Sequence, residues 1–246
     1  MEDDFIMVNK TSFPFRTIRI VLEDDILKEE LKLKRYSYIT GVSYGGWYDG
    51  KEIVIKSKKT PVIQLNGRSE DDVFSGFNDT TRNEIRKTEK SSQYIFKLPD
   101  INTRAILGLY KKFEIAGNRQ PRASVYFRDS LFAGAYCDGV LVAAIICYNS
   151  FPYLRVHAIV SAGVEIISDR RIVSYTTRRL VWELCQYGLK KNYAWLDLGG
   201  VNQKDPQKAG ITAFKMSFGG ELINEYTYTY KSLLYSYVRA LFYKRR

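Results

Sequence analysis

The sequence predicts an α/β fold in which a mixed central sheet is flanked by helices. From residue 130 onward, the segments follow the order strand, strand, strand, helix, strand, helix, strand, helix. The first two strands, 131–137 and 140–147, are apolar on both faces, which is typical of a sheet centre that helices cover. Asp138-Gly139 between them predicts a two-residue hairpin turn.

The first hundred residues indicate strands and turns with one helix. Strands are predicted at 52–55, after an Asp49-Gly50 turn, and at 61–65. The helix is expected at about 80–91, where Thr81 and Glu84 have the spacing of a capping box. A second helix at 102–116 begins after Asn102, a suitable N-cap residue.

The remaining segments complete the alternation. Residues 153–162 form the third strand and 172–191 a long helix, followed by a strand at 193–198 and a helix at 207–218. A strand at 221–230 leads into a basic amphipathic helix at 231–243. Six residues form the apolar side of this last helix, and we expect that side to pack on the sheet: Leu233, Leu234, Tyr237, Val238, Leu241 and Phe242.

Composition limits the class of protein. The 246 residues are enough for one large domain or two small ones, and their net charge of +11 favours polyanionic partners such as nucleotides, coenzyme A, RNA or anionic lipids. No apolar run is long enough to span a membrane, and the N-terminus lacks the apolar core of a secretory signal. The three cysteines lack metal-ligand spacing, so we expect reduced thiols and a cytoplasmic protein.

The most informative stretch is 194–221. Asp197-Leu198-Gly199-Gly200 ends an apolar run, and Gly210-Ile211, Phe214-Lys215 and Phe218-Gly219-Gly220-Glu221 follow after a polar loop. This pattern resembles the ending of GNAT-type N-acyltransferases, and within them the Fem-type aminoacyltransferases and their acyl-CoA-using sugar N-acyltransferase relatives. The segment 77–87, which contains Arg-Asn-Glu-Ile-Arg-Lys at 82–87, resembles an element in the first half of Fem-type enzymes.

The resemblance implies a GNAT-like fold with an abbreviated N-terminal GNAT-like half on the acceptor side. The expected division is 1–100 for that half and 101–246 for the acyltransferase core. The implied reaction joins an acyl group to an amine by direct attack in a ternary complex. We expect an acyl-CoA donor, a nucleotide-linked amino sugar as acceptor, no metal and no DNA partner.

Two residues are candidates for accepting the amine proton. His157 is the only histidine and lies on the strand that would present the donor carbonyl in a GNAT enzyme. A lone histidine on an apolar strand is more often a packed core residue. Asp197 ends a strand before two glycines, where the chain can approach a ligand closely, although a turn-forming role is an equally open interpretation.

The donor side would use the third core strand and the helix that follows it. We expect Ile159, Arg170, Arg171 and Ser174 to contact the donor. The loop at 168–174 lacks the glycine-rich pattern that holds the coenzyme A diphosphate in GNAT enzymes, so helix N–H groups and arginines would have to supply the phosphate site.

The acceptor side combines cations, glycines and an aromatic residue. Arg82 and Arg86 lie one helical turn apart on one face. Solvated or packed surroundings are the alternative interpretation for these side chains and for Lys215 and Trp47. The full expected acceptor set is Arg82, Arg86, Lys215, Gly199, Gly200 and Trp47.

Two other functions remain open at this stage. The first is transfer from aminoacyl-tRNA onto a peptidoglycan precursor, which the positive charge favours and the shortness of the chain disfavours. The second is a non-catalytic module that binds a membrane surface peripherally through the basic C-terminal helix and Lys244-Arg245-Arg246.

Overall fold

The computed structural model describes residues 7–12, 15–47, 50–202 and 204–243. By internal contacts these residues form two compact units. One contains the described residues up to Lys59 together with those from Ile223 onward, and the other runs from Thr60 to Leu222. Asp49 of the expected hairpin turn and the terminal 244–246 lie outside the described residues. The functional division at residue 100 stays a prediction.

The first unit is built on strands in the order β1-β2-β3-β10-β4. These are β1 (Met7–Ser12), β2 (Phe15–Val21), β3 (Tyr38–Ser43) and the parts of β4 (Ile53–Gln64) and β10 (Glu221–Lys231) that belong to this unit. β2 and β3 are parallel, and α1 (Asp24–Leu33) connects them. Leu27 and Leu31 of α1 are fully buried in the core of this unit. The unit ends with α7 (Leu233–Tyr243).

The second unit has the strand order β4-β9-β8-β7-β6-β5. Only β8 and β9 are parallel; the other pairs are antiparallel. The strands are β5 (Tyr94–Lys97), β6 (Ser130–Cys137), β7 (Val140–Ser150), β8 (Tyr153–Ser161) and β9 (Trp195–Asp197). The helices are α2 (Glu70–Ser75), α3 (Asp79–Glu89), α4 (Thr103–Ala116), α5 (Arg170–Lys190) and α6 (Ala209–Met216).

Helices cover both faces of this second sheet. Leu180, Val181 and Leu184 of α5 pack in the larger core on one face. Ile106 and Leu109 of α4 pack in the smaller core on the other, together with the short helical turn Ser124–Phe127. The predicted mixed sheet with flanking helices is confirmed, as are the Asp138-Gly139 hairpin and the long helix α5.

The N-terminal part differs from the prediction in three ways. Residues up to 100 contain α1 and α2 as well as the expected α3. The two short strands expected at 52–55 and 61–65 are one continuous strand, β4, whose residues 54–59 are exposed. The capping box at Thr81 is wrong, because Asn78 caps α3 by accepting a hydrogen bond from the Thr81 amide at 2.9 Å.

The expectation that the apolar side of α7 packs on the sheet is also wrong. Tyr235 attaches the helix by stacking on Tyr38, with ring centroids 5.3 Å apart. Most of the residues assigned to the apolar side are exposed instead; they are Leu233, Leu234, Tyr237 and Leu241, while the side chain of Phe242 lies outside the described part. In the described ranges, no helix combines the length and apolar character needed to cross a bilayer.

Candidate functional site

A β-bulge in β8 places His157. Cys147 of β7 lies opposite Val156 and the adjacent Ile146 lies opposite Ala158, so His157 is the extra residue of the bulge. A bulge bends its strand and re-aims the side chain that it carries. In the second unit it directs the imidazole toward the face that α4 covers.

Aromatic rings surround the half-buried imidazole of His157. The ring centroids of Tyr148, Phe127 and Tyr110 lie 4.7, 5.1 and 6.5 Å from it. Arg122 joins this group, since its amide donates to the Tyr110 hydroxyl at 3.3 Å and its guanidinium donates to the Tyr148 hydroxyl at 3.4 Å. The only histidine of the chain therefore lies in an aromatic setting whose hydroxyl groups are bonded to one arginine.

The parallel pairing of β8 with β9 ends beside this bulge. Its last pair is Arg155 with Asp197, whereas β8 continues to Ser161. The Ala162 amide donates to the Val142 carbonyl at 2.9 Å, and antiparallel residues alternate in direction. The amides of Ser161 and Ile159 therefore point away from β7, toward the side on which β9 has ended.

Asp197 is the centre of a buried polar group. The side chain is fully buried, and it accepts hydrogen bonds from the Thr60 hydroxyl, from the Arg155 guanidinium and, at 2.7 Å, from the Gly199 amide. Arg155 is almost as deeply buried. Three donors from three segments hold this carboxylate, so it fixes the turn that follows β9; its use as a base stays a prediction.

Lys215 and the pair Gly199-Gly200 adjoin the buried polar group around Asp197. The Lys215 ammonium donates to the carbonyls of Gly199 and Gly200 at 2.9 and 3.1 Å. Gly199 has a φ of +77°, which favours glycine because a side chain would be strained there. The lysine of α6 thus ties down the loop after β9 through its backbone.

The start of α5 is the expected donor side, and the structure separates its residues. Arg170 lines a pocket of about 180 Å³ together with Lys112, Glu165 and other residues of α4 and of the end of β8. Arg171 donates to Asp169, the N-cap residue, which lowers the pKa of that carboxyl. The full lining is Leu109, Lys112, Phe113, Ala116, Ser161, Ala162, Gly163, Glu165, Ile166 and Arg170.

Ser174 lies elsewhere, on the side of α5 that faces α3. Its hydroxyl donates to Glu84 at 2.7 Å and accepts from Arg178 at 2.8 Å. The structure therefore gives Ser174 a part in joining two helices, and brings Arg170 alone of the four expected donor residues into the pocket. Ile159 lies on β8, and its amide points away from β7.

The expected acceptor residues are also divided. Arg82 donates to the Ser75 carbonyl at 2.8 Å and to the Phe77 carbonyl and Asp79, so it caps the C-terminal end of α2. Arg86 is exposed, with its guanidinium 5.4 Å from the centre of the Phe74 ring. Arg86 is therefore the more accessible of these two arginines.

Trp47 belongs to the first unit. Its ring stacks on Tyr228 at 4.5 Å, and its indole N–H donates to Asp24 at 3.1 Å. This is a packed tryptophan, as the alternative interpretation of the sequence had it, and contact with an acceptor stays a prediction.

Sequence reasoning missed Arg155, Tyr148 and Arg122. A charged residue in the middle of an apolar strand is a signal for a buried ion pair, and Arg155 carried that signal. Nothing local in the sequence marks Tyr148 or Arg122, because their contact joins β7 to the segment after α4.

The cysteines are free and buried. Burial, together with the nearby Asp197 carboxylate, raises the pKa of the Cys147 thiol well above its usual range. Burial alone does the same for the Cys185 thiol. Both thiols therefore remain protonated and unreactive at neutral pH.

Comparison with known proteins supplies structural likeness only. No family model and no curated protein sequence matches the chain. FemX superposes with a TM-score of 0.63 at 12% identity over 94% of this chain and 86% of FemX. The C-terminal domain of an Agrobacterium fabrum protein assigned as a lysylphosphatidylglycerol synthetase gives 0.59 at 10% identity, over 95% and 83% of the two chains.

A third structure agrees with these two. L-PGS from Bacillus licheniformis superposes with a TM-score of 0.55 at 13% identity, over 94% of this chain and 83% of that protein. Identities this low establish a common fold and leave the reaction open. The chain has the GNAT-like, Fem-type fold that its DLGG and FGGE motifs led us to expect.

Proposed function

We propose that the chain is a cytoplasmic N-acyltransferase that moves an acyl group from acyl-CoA to the amine of a nucleotide-linked amino sugar in surface-polysaccharide assembly. The observation that carries the proposal is the bulge at His157, next to the point where β8 loses β9 as its neighbour. It puts a titratable imidazole beside strand amides that β9 no longer covers.

In the proposed reaction the donor thioester lies along β8. The amide of Ile159 donates to the carbonyl oxygen and stabilises the negative charge as the carbon becomes tetrahedral. The amine attacks the carbonyl carbon, and His157 accepts the proton that the nitrogen loses, directly or through one water. The carbon–sulfur bond then breaks, and the thiolate of coenzyme A leaves and is protonated.

The donor phosphates are proposed to lie at the start of α5. The first N–H groups of a helix attract anions, and the guanidinium of Arg170 and the ammonium of Lys112 flank the pocket there. Glu165 also lines this pocket and opposes an anion, and the N-cap carboxylate of Asp169 lies at the same helix start, where Arg171 pairs with it. The balance therefore rests on Arg170, Lys112 and the helix end against Glu165.

Arg86 is proposed as the contact for the acceptor diphosphate, because Arg82 already serves the end of α2. Asp197, Gly199, Gly200 and Lys215 shape the wall beside the amine. In this assignment Lys215 acts through the two carbonyls that it binds and has a positioning role.

A second candidate is transfer from aminoacyl-tRNA onto a peptidoglycan precursor. Two observations favour it. The 168–174 loop lacks the glycines expected for a coenzyme A diphosphate site. The second structure named above is assigned as a lysylphosphatidylglycerol synthetase, a name that denotes an aminoacyl ester of a lipid.

Thiol release tests the leading proposal. Acyl-CoA donors are offered with nucleotide-linked amino sugars, and release of free thiol is followed together with the mass of the sugar product. We expect His157→Ala to lower kcat by about 10²–10⁴-fold, the usual contribution of a general base. Tyr153→Phe, earlier on the same strand, is the control and should retain full activity.

The outcomes separate the two candidates. Full activity of His157→Ala would contradict the mechanism but keep the reaction. Absence of thiol release with every acyl-CoA, combined with transfer from aminoacyl-tRNA to a peptidoglycan precursor, would replace the leading proposal by the second. Absence of both reactions would contradict an acyltransferase function.

A further inference from the structure

An apolar stripe on α7 faces solvent. Leu233, Leu234, Tyr237 and Leu241 are 91%, 62%, 67% and 52% exposed. At 100° per residue these four positions lie within a sector of about 100° on one side of the helix. Large apolar side chains in a contiguous exposed stripe mark an interaction surface.

The opposite side of α7 packs against other residues of the first unit. Tyr235 stacks on Tyr38 and makes an edge contact with Phe15, with ring centroids 5.3 and 5.2 Å apart. Val238 is half-buried beside it on the helical wheel. The helix therefore has a fixed orientation within the first unit, and the exposed stripe is not available to that unit's core.

The last part of the sequence, which contains the stripe, carries charge of one sign. After Glu225 the sequence contains five basic residues and no acidic one. Lys231 is exposed just before the helix, and Lys244, Arg245 and Arg246 follow it in the sequence. Arg239 lies on the side of the helix opposite the stripe, where it donates to the Tyr235 hydroxyl at 3.3 Å. An apolar stripe on a helix that has cations before and after it in the sequence matches the interface of an anionic bilayer, where acyl chains contact apolar side chains and headgroups contact cations.

We propose that α7 is an in-plane anchor that binds the surface of a membrane containing anionic lipid. The helix lies parallel to the bilayer, with Leu233, Leu234, Tyr237 and Leu241 among the acyl chains. This anchor is independent of the proposed acyl transfer, since it uses residues of the first unit only.

Vesicle flotation of the full chain tests the anchor. Vesicles of phosphatidylcholine mixed with phosphatidylglycerol are compared with vesicles of phosphatidylcholine alone. We expect the protein to float with the anionic vesicles and to bind the neutral ones much more weakly, because each cation near an anionic surface strengthens binding about fivefold.

Matched serine variants test whether vesicle binding depends on the stripe itself or on any exposed apolar residues. Leu233→Ser, Leu234→Ser and Leu241→Ser are combined in one variant, and we expect at least about a tenfold loss of binding to anionic vesicles. The control combines Ile101→Ser, Ile115→Ser and Val140→Ser, which are also exposed apolar residues. The control should bind as the unmodified protein does.

Lys231→Gln removes the exposed cation just before the helix and leaves the apolar stripe intact, and we expect about a fivefold loss of binding to anionic vesicles. Failure of the unmodified chain to float with anionic vesicles would overturn the proposal. So would equal losses in the stripe variant and the control. A dimer that the stripe variant converts to a monomer, without flotation of either form, would show that the stripe joins two copies of the chain and would also overturn it.

Discussion

At the scale of single residues, the paired charges of Arg155 and Asp197 connect the strands that flank the proposed site. Asp197→Asn preserves the shape of the side chain but leaves a buried guanidinium without its counter-charge. Removing one partner of a buried pair costs about 3–5 kcal/mol. We expect the urea midpoint of unfolding to fall accordingly, and activity to be lost only in proportion to the unfolded fraction.

An exposed pair gives the control for this prediction. Glu29→Gln removes an exposed carboxylate 3.1 Å from the Arg35 guanidinium, and should leave the urea midpoint unchanged. If Asp197→Asn is fully stable but inactive, Asp197 takes part in the chemistry and the positioning role assigned to it is wrong.

Gly219 shows why the FGGE motif requires glycine. Its φ is +67°, and a Cβ atom there would lie 2.0 Å from the carbonyl oxygen of Gly76. We expect Gly219→Ala to destabilise the fold by about 2–4 kcal/mol, from left-handed strain and a backbone clash together. Gly210→Ala is the matched control, because a Cβ there meets nothing within 4 Å and alanine favours the helix. Equal thermal midpoints for the two variants would contradict this account.

Glu23 predicts a pH dependence of stability. Burial, reinforced by the charges of Asp24 and Asp25, raises the pKa of Glu23 from 4.5 to about 7. The folded state therefore holds this proton more tightly than the unfolded state does. The resulting stabilisation is complete below pH 4.5 and is lost as the pH rises through about 7.

Thermal unfolding at pH 5 and pH 8 measures this effect. We expect the unmodified chain to lose more of its Tm between these pH values than Glu23→Gln does, since the amide does not titrate. Asp25→Asn should reduce the difference partly, because it removes one of the charges that raise the pKa. A Glu23→Gln profile identical to that of the unmodified chain would contradict the assignment.

At the scale of elements, the two segments that resembled Fem-type enzymes meet in the structure. The Asn78 amide donates to the Ser217 carbonyl at 2.9 Å, and the Thr81 hydroxyl donates to the Ser217 hydroxyl at the same distance. The rings of Phe77 and Phe218 are 5.2 Å apart. The residues of these two segments therefore determine how α3 and α6 pack. Much of the sequence resemblance to Fem-type enzymes thus concerns residues that pack these helices together.

Arg178 of α5 completes this junction. It donates to Thr81 at 3.2 Å and lies 3.3 Å from the Glu84 carboxylate. Arg178→Met keeps the apolar stem but leaves Glu84 and Thr81 without this donor, which we expect to cost about 2 kcal/mol in urea unfolding. Arg119→Met, in a more exposed pair with Glu114, should cost no measurable stability. Similar losses for both variants would contradict the role of the junction.

These elements also show what the sequence can and cannot predict. The β6–β7 hairpin and α5 follow from local signals, a turn dipeptide and a long helical period. The bulge at His157 depends on the exact register within the β7–β8 hairpin, and the pairing of Arg155 with Asp197 joins strands that are distant in sequence. No local pattern encodes such a register, so the sequence indicated His157 and Asp197 as candidates without distinguishing a base from a structural carboxylate.

At the scale of the whole molecule, the net charge of +11 sets how the chain meets an anionic donor. Binding of a phosphate by a cation releases counterions, so affinity falls with salt in proportion to the number of contacts. Coenzyme A has few phosphates, and we expect a slope of about −2 for log affinity against log salt. An RNA donor that makes six to ten such contacts would lose about 10³–10⁵ in affinity between 50 and 200 mM salt.

Titration of donor affinity with potassium chloride distinguishes these cases and tests the phosphate site. Arg170→Gln should weaken acyl-CoA binding and make the slope shallower by about one, because one phosphate contact is lost. Lys191→Gln, exposed after the far end of α5, should leave both quantities unchanged. A slope that Arg170→Gln does not alter would place the donor phosphates away from the start of α5. A steep slope with RNA, together with salt-insensitive acyl-CoA binding, would favour the aminoacyl-tRNA donor.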